Sequence, residues 1–205
     1  MLEKIRKVEQ VFRQLDKETK QFARKSKIKC LTNCNLCCLK KGLEANVLEF
    51  LPLAYYLVKN NLHEEVLNQL ETEPEYCINL ASNQIPGKTA GCSHYKYRGL
   101  ICRLFGSSAA HDKNSKLSIY TCSHIKTTQK EAYLSANEKI NAGLIAIPQV
   151  SDFYYQIYFI DPNLANDYNP INISIRKAIE RVAYFYEHQP VRKRQKKLNQ
   201  GIDAE

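Results

Sequence analysis

The sequence is short of glycine, has no long apolar run, and carries no cysteine in its first 29 or last 83 residues. Each absence excludes something. The seven glycines never stand closer than four apart and form no G-x-G, so a glycine-rich nucleotide loop is missing. No stretch approaches the roughly 18 consecutive apolar residues of a membrane span. The N-terminal MLEKIRKVEQVFRQL alternates charged and apolar residues, which predicts no secretory signal, and Glu3, Glu9 and Asp16 argue against a mitochondrial presequence. The expected location is therefore cytoplasmic, where reducing conditions keep thiols free unless a metal holds them. No internal repeat is evident.

At 205 residues and 44% apolar composition the chain can bury a core without disulfides. The formal charge of +9 is less informative than it looks, because five of the 30 basic residues sit in Arg192–Lys197 and thiolates bound to metal would change the count. A basic tail of this kind reads first as a solvated end and second as a nucleic-acid arm.

What the sequence does have is cysteine, and in one place. Cys30, Cys34, Cys37 and Cys38 fall within nine residues, and Cys77, Cys92, Cys102 and Cys122 follow singly. Scattered core cysteines would not cluster so. In a reducing compartment the pattern reads as metal ligands rather than a disulfide framework. Cys30-x3-Cys34-x2-Cys37 offers three thiolates on a segment short enough to wrap an ion or cluster, and close spacing lowers the loop-closure cost. Neighbouring side chains diverge in regular backbone, so Cys37 and Cys38 are expected to face different places. Two sites of four thiolates, or one site plus a redox-capable thiol, both account for the doublet.

Four regions are expected. Residues 1–29 form an N-terminal amphipathic helix, with Ile5, Val8, Phe12, Leu15 and Phe22 on one face. Residues 30–125 form the cysteine-cluster metal-binding region, 126–190 a C-terminal helical region of the same domain, and 191–205 a basic flexible tail. Within these, Leu43–Phe50 reads as a helix, Pro52 opens another that Asn60-Asn61 breaks, and residues 62–70 form a third. Residues 81–123 lose helical periodicity; 82–87 reads as an exposed loop and 117–120 as a strand. Thr127 is expected to cap a helix through Ile140, Ser151-Asp152 one over 153–160, whose composition also suits a strand, and Asn169-Pro170 or Ser174 a last helix to about His188, stopped by Pro190. Ile175, Ile179, Val182, Ala183 and Tyr186 would be its buried face. The fold class expected is mainly α: helices flanking an irregular, cysteine-rich, metal-held centre with little strand.

Cys92-x2-Tyr95-x2-Arg98-Gly99-x2-Cys102-Arg103-x-Phe105 completes a recognisable order. With the Cys30–Cys38 cluster, the Cys77/Leu80 step and Cys122, it resembles the YkgJ-type cysteine-cluster family, the CxxCxxCC zinc- or iron-chelating domains. The resemblance implies metal chelation by Cys30, Cys34, Cys37, Cys38, Cys77, Cys92, Cys102 and Cys122, and supplies no reaction. Gly99 stands where the family usually has proline, and the Cys77–Cys92 segment is long for it. Arg98 and Arg103 flank the second pair of thiols, where they would either bind the cofactor by offsetting thiolate charge or form ordinary ion pairs. Tyr95 and Phe105 are expected to pack around the site. With eight thiols available, His94, His111 and His124 read as surface or hydrogen-bonding residues.

The cofactor is a [4Fe–4S] cluster or Zn2+, since thiolate shells suit both. C-x3-C-x2-C resembles the cluster signature of S-adenosylmethionine radical enzymes, yet Leu36 replaces their aromatic residue and no strand–helix alternation builds their barrel. The cysteine region is also similar to that of flagellin lysine methylases. Iron–sulfur is the preferred reading; a cluster-dependent protein-modifying enzyme and a nucleic-acid module using the tail are the alternatives. The expected partner is a metal ion or cluster, with room for a protein; nucleic acid is disfavoured and a membrane excluded.

Overall fold

The structure is a computed structural model describing residues 1–30, 34–80 and 91–188. The loop at 82–87, the stop at Pro190 and the basic tail lie outside these residues. Among them the chain is mainly α with little strand.

α1 (Leu2–Ser26) is the longest element and ends with Lys27 in the left-handed region. Its apolar stripe divides its work. Ile5, Val8, Val11, Phe12 and Leu15 enter a large core with α2 (Leu51–Lys59), while Phe22, two turns on, joins a smaller core. Pro52 sits in the first turn of α2, where its missing N–H costs nothing, and Asn61 takes a positive φ just beyond its end. α3 (His63–Leu70) follows, burying Leu70.

The stretch 43–50 is not a helix. β1 (Glu44–Asn46) comes first, then a single 3₁₀ turn at Leu48–Phe50. The reason is local. The Asn46 N–H donates to Glu49 Oε1 (2.9 Å) and the Glu49 N–H donates to Asn46 Oδ1 (3.1 Å), a reciprocal cap that starts a helix at the point where one was expected to be under way. That frees residues 44–46 to pair with β4 (Tyr168–Pro170), antiparallel, Ala45 opposite Asn169.

Residues 91–123 are more regular than their composition suggests. They hold α4 (Leu100–Leu104) and a hairpin of β2 (Ser108–His111) and β3 (Leu117–Tyr120), Ala109 opposite Ile119. The strand at 117–120 is as expected; its partner, Ser-Ala-Ala-His, carries no strand signal of its own. Two helices then replace one. α5 (Ser123–Thr128) and α6 (Lys130–Asn141) meet at Gln129. Thr127 does not cap α6: the Thr127 and Thr128 hydroxyls donate back to the carbonyls of Ser123 and His124, and so belong to the end of α5.

α7 (Val150–Tyr158) is the expected helix, though Ser151 and Asp152 lie inside it and Gln149 precedes it. Asp161 follows it and has two roles. Its carboxylate caps α8 (Pro162–Ala165), accepting from the N–H groups of Asn163 and Leu164, and it pairs with Lys4. α9 (Ile171–Glu187) starts directly after Pro170 and packs on α2 and α3. Ile175, Ile179 and Val182 are buried with Ile171, Ser174 and Ala178, whereas Ala183 and Tyr186 are only partly covered.

The smaller core unites Phe22, Ile28, Ile119, Ile125, Ala136 and Ile140. Between it and the large core lies a seam, and the cysteines occupy it.

Candidate metal centre

All eight cysteines line one cavity of ≈ 470 Å³. Its walls include Phe50 and Ile171 from the large core, Ile125 from the small one, and Thr19 of α1, the helix common to both. The cysteine-bearing segments are held in different ways.

Cys30 follows Lys29, whose N–H donates to Gln129 Oε1 (3.0 Å) and whose carbonyl accepts from Gln129 Nε2 (2.7 Å). The same α5–α6 junction begins at Cys122, so the first and last cysteines become neighbours. Cys34–Lys40 is a turn, closed by the Cys38 N–H on the Asn35 carbonyl (2.8 Å). Asn172 of α9 grips the Cys77 segment: its Oδ1 accepts from the Ile78 N–H (2.9 Å), and its Nδ2 donates to the carbonyls of Pro74 (3.0 Å) and Tyr76 (2.8 Å). Leu80 and Cys92 form a single antiparallel bridge, reinforced by the Ser93 N–H on the Asn79 carbonyl (2.8 Å). The long Cys77–Cys92 segment is thus pinched at its base, and its length does not separate the two thiols' surroundings.

Cys102 rides on α4, whose start is set by Glu49. The Ile101 N–H donates to Glu49 Oε2 (2.7 Å). Glu49 is wholly buried, and burial raises its carboxyl to about 7 even though backbone N–H groups of Ile101, Asn46 and Leu100 oppose the shift. Gly99 lies against this group. A Cβ there would stand 2.8 Å from Glu49 Oε2 and 2.8 Å from Phe50 Cζ. Glycine at this position answers a close approach, not a need for positive φ, since φ is −64°.

The thiols are not equivalent. Burial, followed by Cys34, Cys37 and Cys122, pushes Cys30 up to about 11; burial does the same to Cys77. Burial also raises Cys92 and, more strongly, Cys102. Cys37 goes the other way, to about 6, chiefly through a hydrogen bond from the Cys38 thiol, with Arg98 contributing; Cys38 is raised correspondingly. The doublet therefore does not diverge as regular backbone would have it: both thiols line the one cavity and shift each other's ionisation in opposite directions. They differ in a subtler way, because Cys38 also lines a second cavity that Cys37 does not.

The two arginines separate cleanly. Arg103 is buried and spent. It pairs with Asp16, donates to the carbonyls of Lys96 and Arg98, and lies 4.5 Å over the Phe12 ring. Arg98 rests 4.1 Å over the exposed Tyr95 ring, and its buried Nε finds no hydrogen-bond partner among the described residues. Its charge acts on Cys37 and Cys92. Phe105 packs edge-on to Tyr120 at the cavity wall, while Tyr95 stays at the rim, more solvent-facing than expected. None of the three histidines lines the cavity. His94 Nδ1 lies 3.0 Å from Asn79 Oδ1, and His111 Nδ1 3.0 Å from the Ser115 carbonyl.

Glu49, Asp16, Gln129 and Asn172 shape the site yet do not stand out as site residues in the sequence. Only Glu49 had a local signal, Asn46-x-x-Glu49 ahead of an apolar run. The others act across 87 or more residues.

The donor set suits a soft thiophilic metal: eight sulfurs, one arginine with a free buried donor, and no competing carboxylate among the cavity residues. Among the described residues no three cysteine, histidine or carboxylate side chains are drawn together closely enough to hold one ion as they stand. The thiols form a shell around the cavity rather than a closed knot. No curated protein and no solved structure matches the chain. The family model for CxxCxxCC, described as a putative zinc- or iron-chelating domain, matches residues 29–136. That span contains all eight cysteines, both arginines and the Gln129 clamp, and the chain belongs to the CxxCxxCC family.

Proposed function

We propose that the protein is a cytoplasmic iron–sulfur protein whose centre is ligated by thiolates drawn from both halves of the signature. The observation that carries this reading is the convergence of all eight cysteines on a single cavity. Cys37, already ionised near neutral pH, is the entry ligand; Cys30, Cys77, Cys92 and Cys102 must each lose a proton to follow it. Arg98 offsets the negative charge that accumulates, and its buried Nε, unpartnered among the described residues, is a donor free to serve the centre. Arg103 fixes the turn that carries Arg98 rather than meeting the centre itself. A bound cluster would supply one-electron chemistry. The preference over zinc rests on the C-x3-C-x2-C spacing and the surplus of thiols.

Protein made and purified without oxygen should be brown, with broad absorption near ~400 nm that bleaches on reduction. Iron, sulfide and zinc are counted per chain in the same sample. Colourless protein carrying zinc and no sulfide would overturn the iron–sulfur reading and leave the thiolate shell standing. Air exposure must be avoided until then, because oxidised clusters leave thiols that capture zinc.

A further inference from the structure

A second cavity, of ≈ 460 Å³, backs onto the thiol cavity, and Cys38 and Cys77 line both. Its volume falls in the range that holds a small organic molecule. Two of its side chains are cations with nothing to do. Among the described residues, neither the Lys40 ammonium nor the Arg176 guanidinium makes a hydrogen bond or ion pair, whereas nearby basic groups are committed: Lys41 to Glu75, and Lys177 to Asp167 and Asn169. Glu73 is the one acidic residue of the cavity without an ion-pair partner among the described residues, which leaves the uncommitted balance positive. Apart from Asn172 and Glu75, which is paired with Lys41, the remaining wall is apolar and includes Leu43, Pro170 and Ile173.

We infer that this second cavity binds a small organic oxyanion, a carboxylate or phosphate monoester with an aliphatic body, gripped by Arg176 and Lys40. A planar guanidinium forms paired, charge-assisted hydrogen bonds to either oxyanion, and a lysine adds a movable donor. The apolar side of the cavity excludes a bare ion as the best ligand, because it would leave Leu43, Pro170 and Ile173 against water. The position of Cys38 and Cys77 in the shared wall puts such a ligand one side chain away from the thiol shell. A molecule bound there would sit beside the centre while remaining outside it. This goes beyond metal chelation and does not depend on which metal is held.

The test uses the full chain as purified anaerobically, titrated calorimetrically at low salt with hexanoate, monohexyl phosphate, acetate and inorganic phosphate, metal content being measured on the same samples. One saturable site is expected for a hexyl anion, with acetate and inorganic phosphate weaker. The tighter of hexanoate and monohexyl phosphate identifies the oxyanion. Arg176→Gln and Lys40→Gln should each weaken binding at least roughly tenfold. Both side chains are partly or fully exposed, so the variants should keep their circular dichroism and metal load. Absence of saturable binding by either hexyl anion, or unchanged affinity in both variants, overturns the inference. Saturable, arginine-dependent binding to a chain that carries no metal would uphold it and sink the metal reading instead.

Discussion

Glu49→Gln offers the sharpest test of the electrostatics beneath the thiols. Glu49 is wholly buried and its carboxyl is raised from 4.5 to about 7, mainly by desolvation. A carboxyl whose folded value exceeds its unfolded one contributes stability that is fully present below the unfolded value and lost as pH rises through the folded one. Between pH 5 and pH 8 this single group should therefore cost the wild-type protein about 2.5 kcal/mol of stability. Glutamine does not titrate, so the variant lacks that loss. Its amide must also face the N–H of either Asn46 or Ile101, which costs about 1–3 kcal/mol at both pH values. Urea denaturation of both proteins, at pH 5 and pH 8 and matched metal content, gives four free energies. The stability of Glu49→Gln relative to wild type should be about 2.5 kcal/mol more favourable at pH 8 than at pH 5. A relative stability that is the same at both pH values would refute the assignment of a raised carboxyl to Glu49.

Three further outcomes are expected. Gly99→Ala should destabilise by about 1–3 kcal/mol, read from thermal melting, because its Cβ would enter the space of Glu49 Oε2 and Phe50. Arg103→Met should cost about 2–4 kcal/mol by orphaning two carbonyls and Asp16, whereas Arg98→Met should leave stability nearly intact and lower metal affinity in a competition with a chelator. In reduced, metal-free protein, Cys37 should be the thiol alkylated fastest at neutral pH, and Cys38→Ala should move its midpoint up from about 6; an unmoved midpoint, followed by mass spectrometry, counts against the Cys38 hydrogen bond.

Much of the helical frame was legible because periodicity and punctuation coincide there. Ile5, Val8, Phe12, Leu15 and Phe22 mark α1, Pro52 and Asn60-Asn61 bound α2, and Pro170 sets α9. The sequence hid what depends on distant pairing. Residues 44–46 become a strand only because 168–170 lie beside them, and Ser108–His111 only because Leu117–Tyr120 does. Thr127 resembled a cap because the threonine-led pattern cannot say whether the hydroxyl bonds forward or back. At the site, the grouping of cysteines was visible in their spacing. The separate fates of Arg98 and Arg103 were not, since Asp16 and Phe12, which claim Arg103, belong to a helix remote in sequence. The convergence of Cys37 and Cys38 on one cavity was hidden for another reason: the divergence rule holds for regular backbone, and residues 34–40 include a turn.

The anchoring pattern bears on how metal and fold depend on each other. A zinc finger is unfolded without its metal because nothing else positions its ligands. Here the cysteine-bearing segments have protein-made holds: Gln129 on Lys29, Asn172 on the Cys77 segment, the Leu80–Cys92 bridge, and Glu49 at the start of the Cys102 helix. These holds reach into α9, the α5–α6 junction and the turn before α2, elements already fixed by two apolar cores. Packing and hydrogen bonds thus hold the segments that carry Cys30, Cys77, Cys92 and Cys102 without calling on a metal. On the proposed reading, a metal would draw those thiols inward, since thiolate ligands approach to about 2.3 Å of an ion such as zinc. The 34–40 turn is the segment best able to supply the movement. It carries three of the eight thiols, and its bonds in the described structure run within the turn rather than out to a helix. Metal binding should accordingly tighten this one short segment more than those tied to the helices.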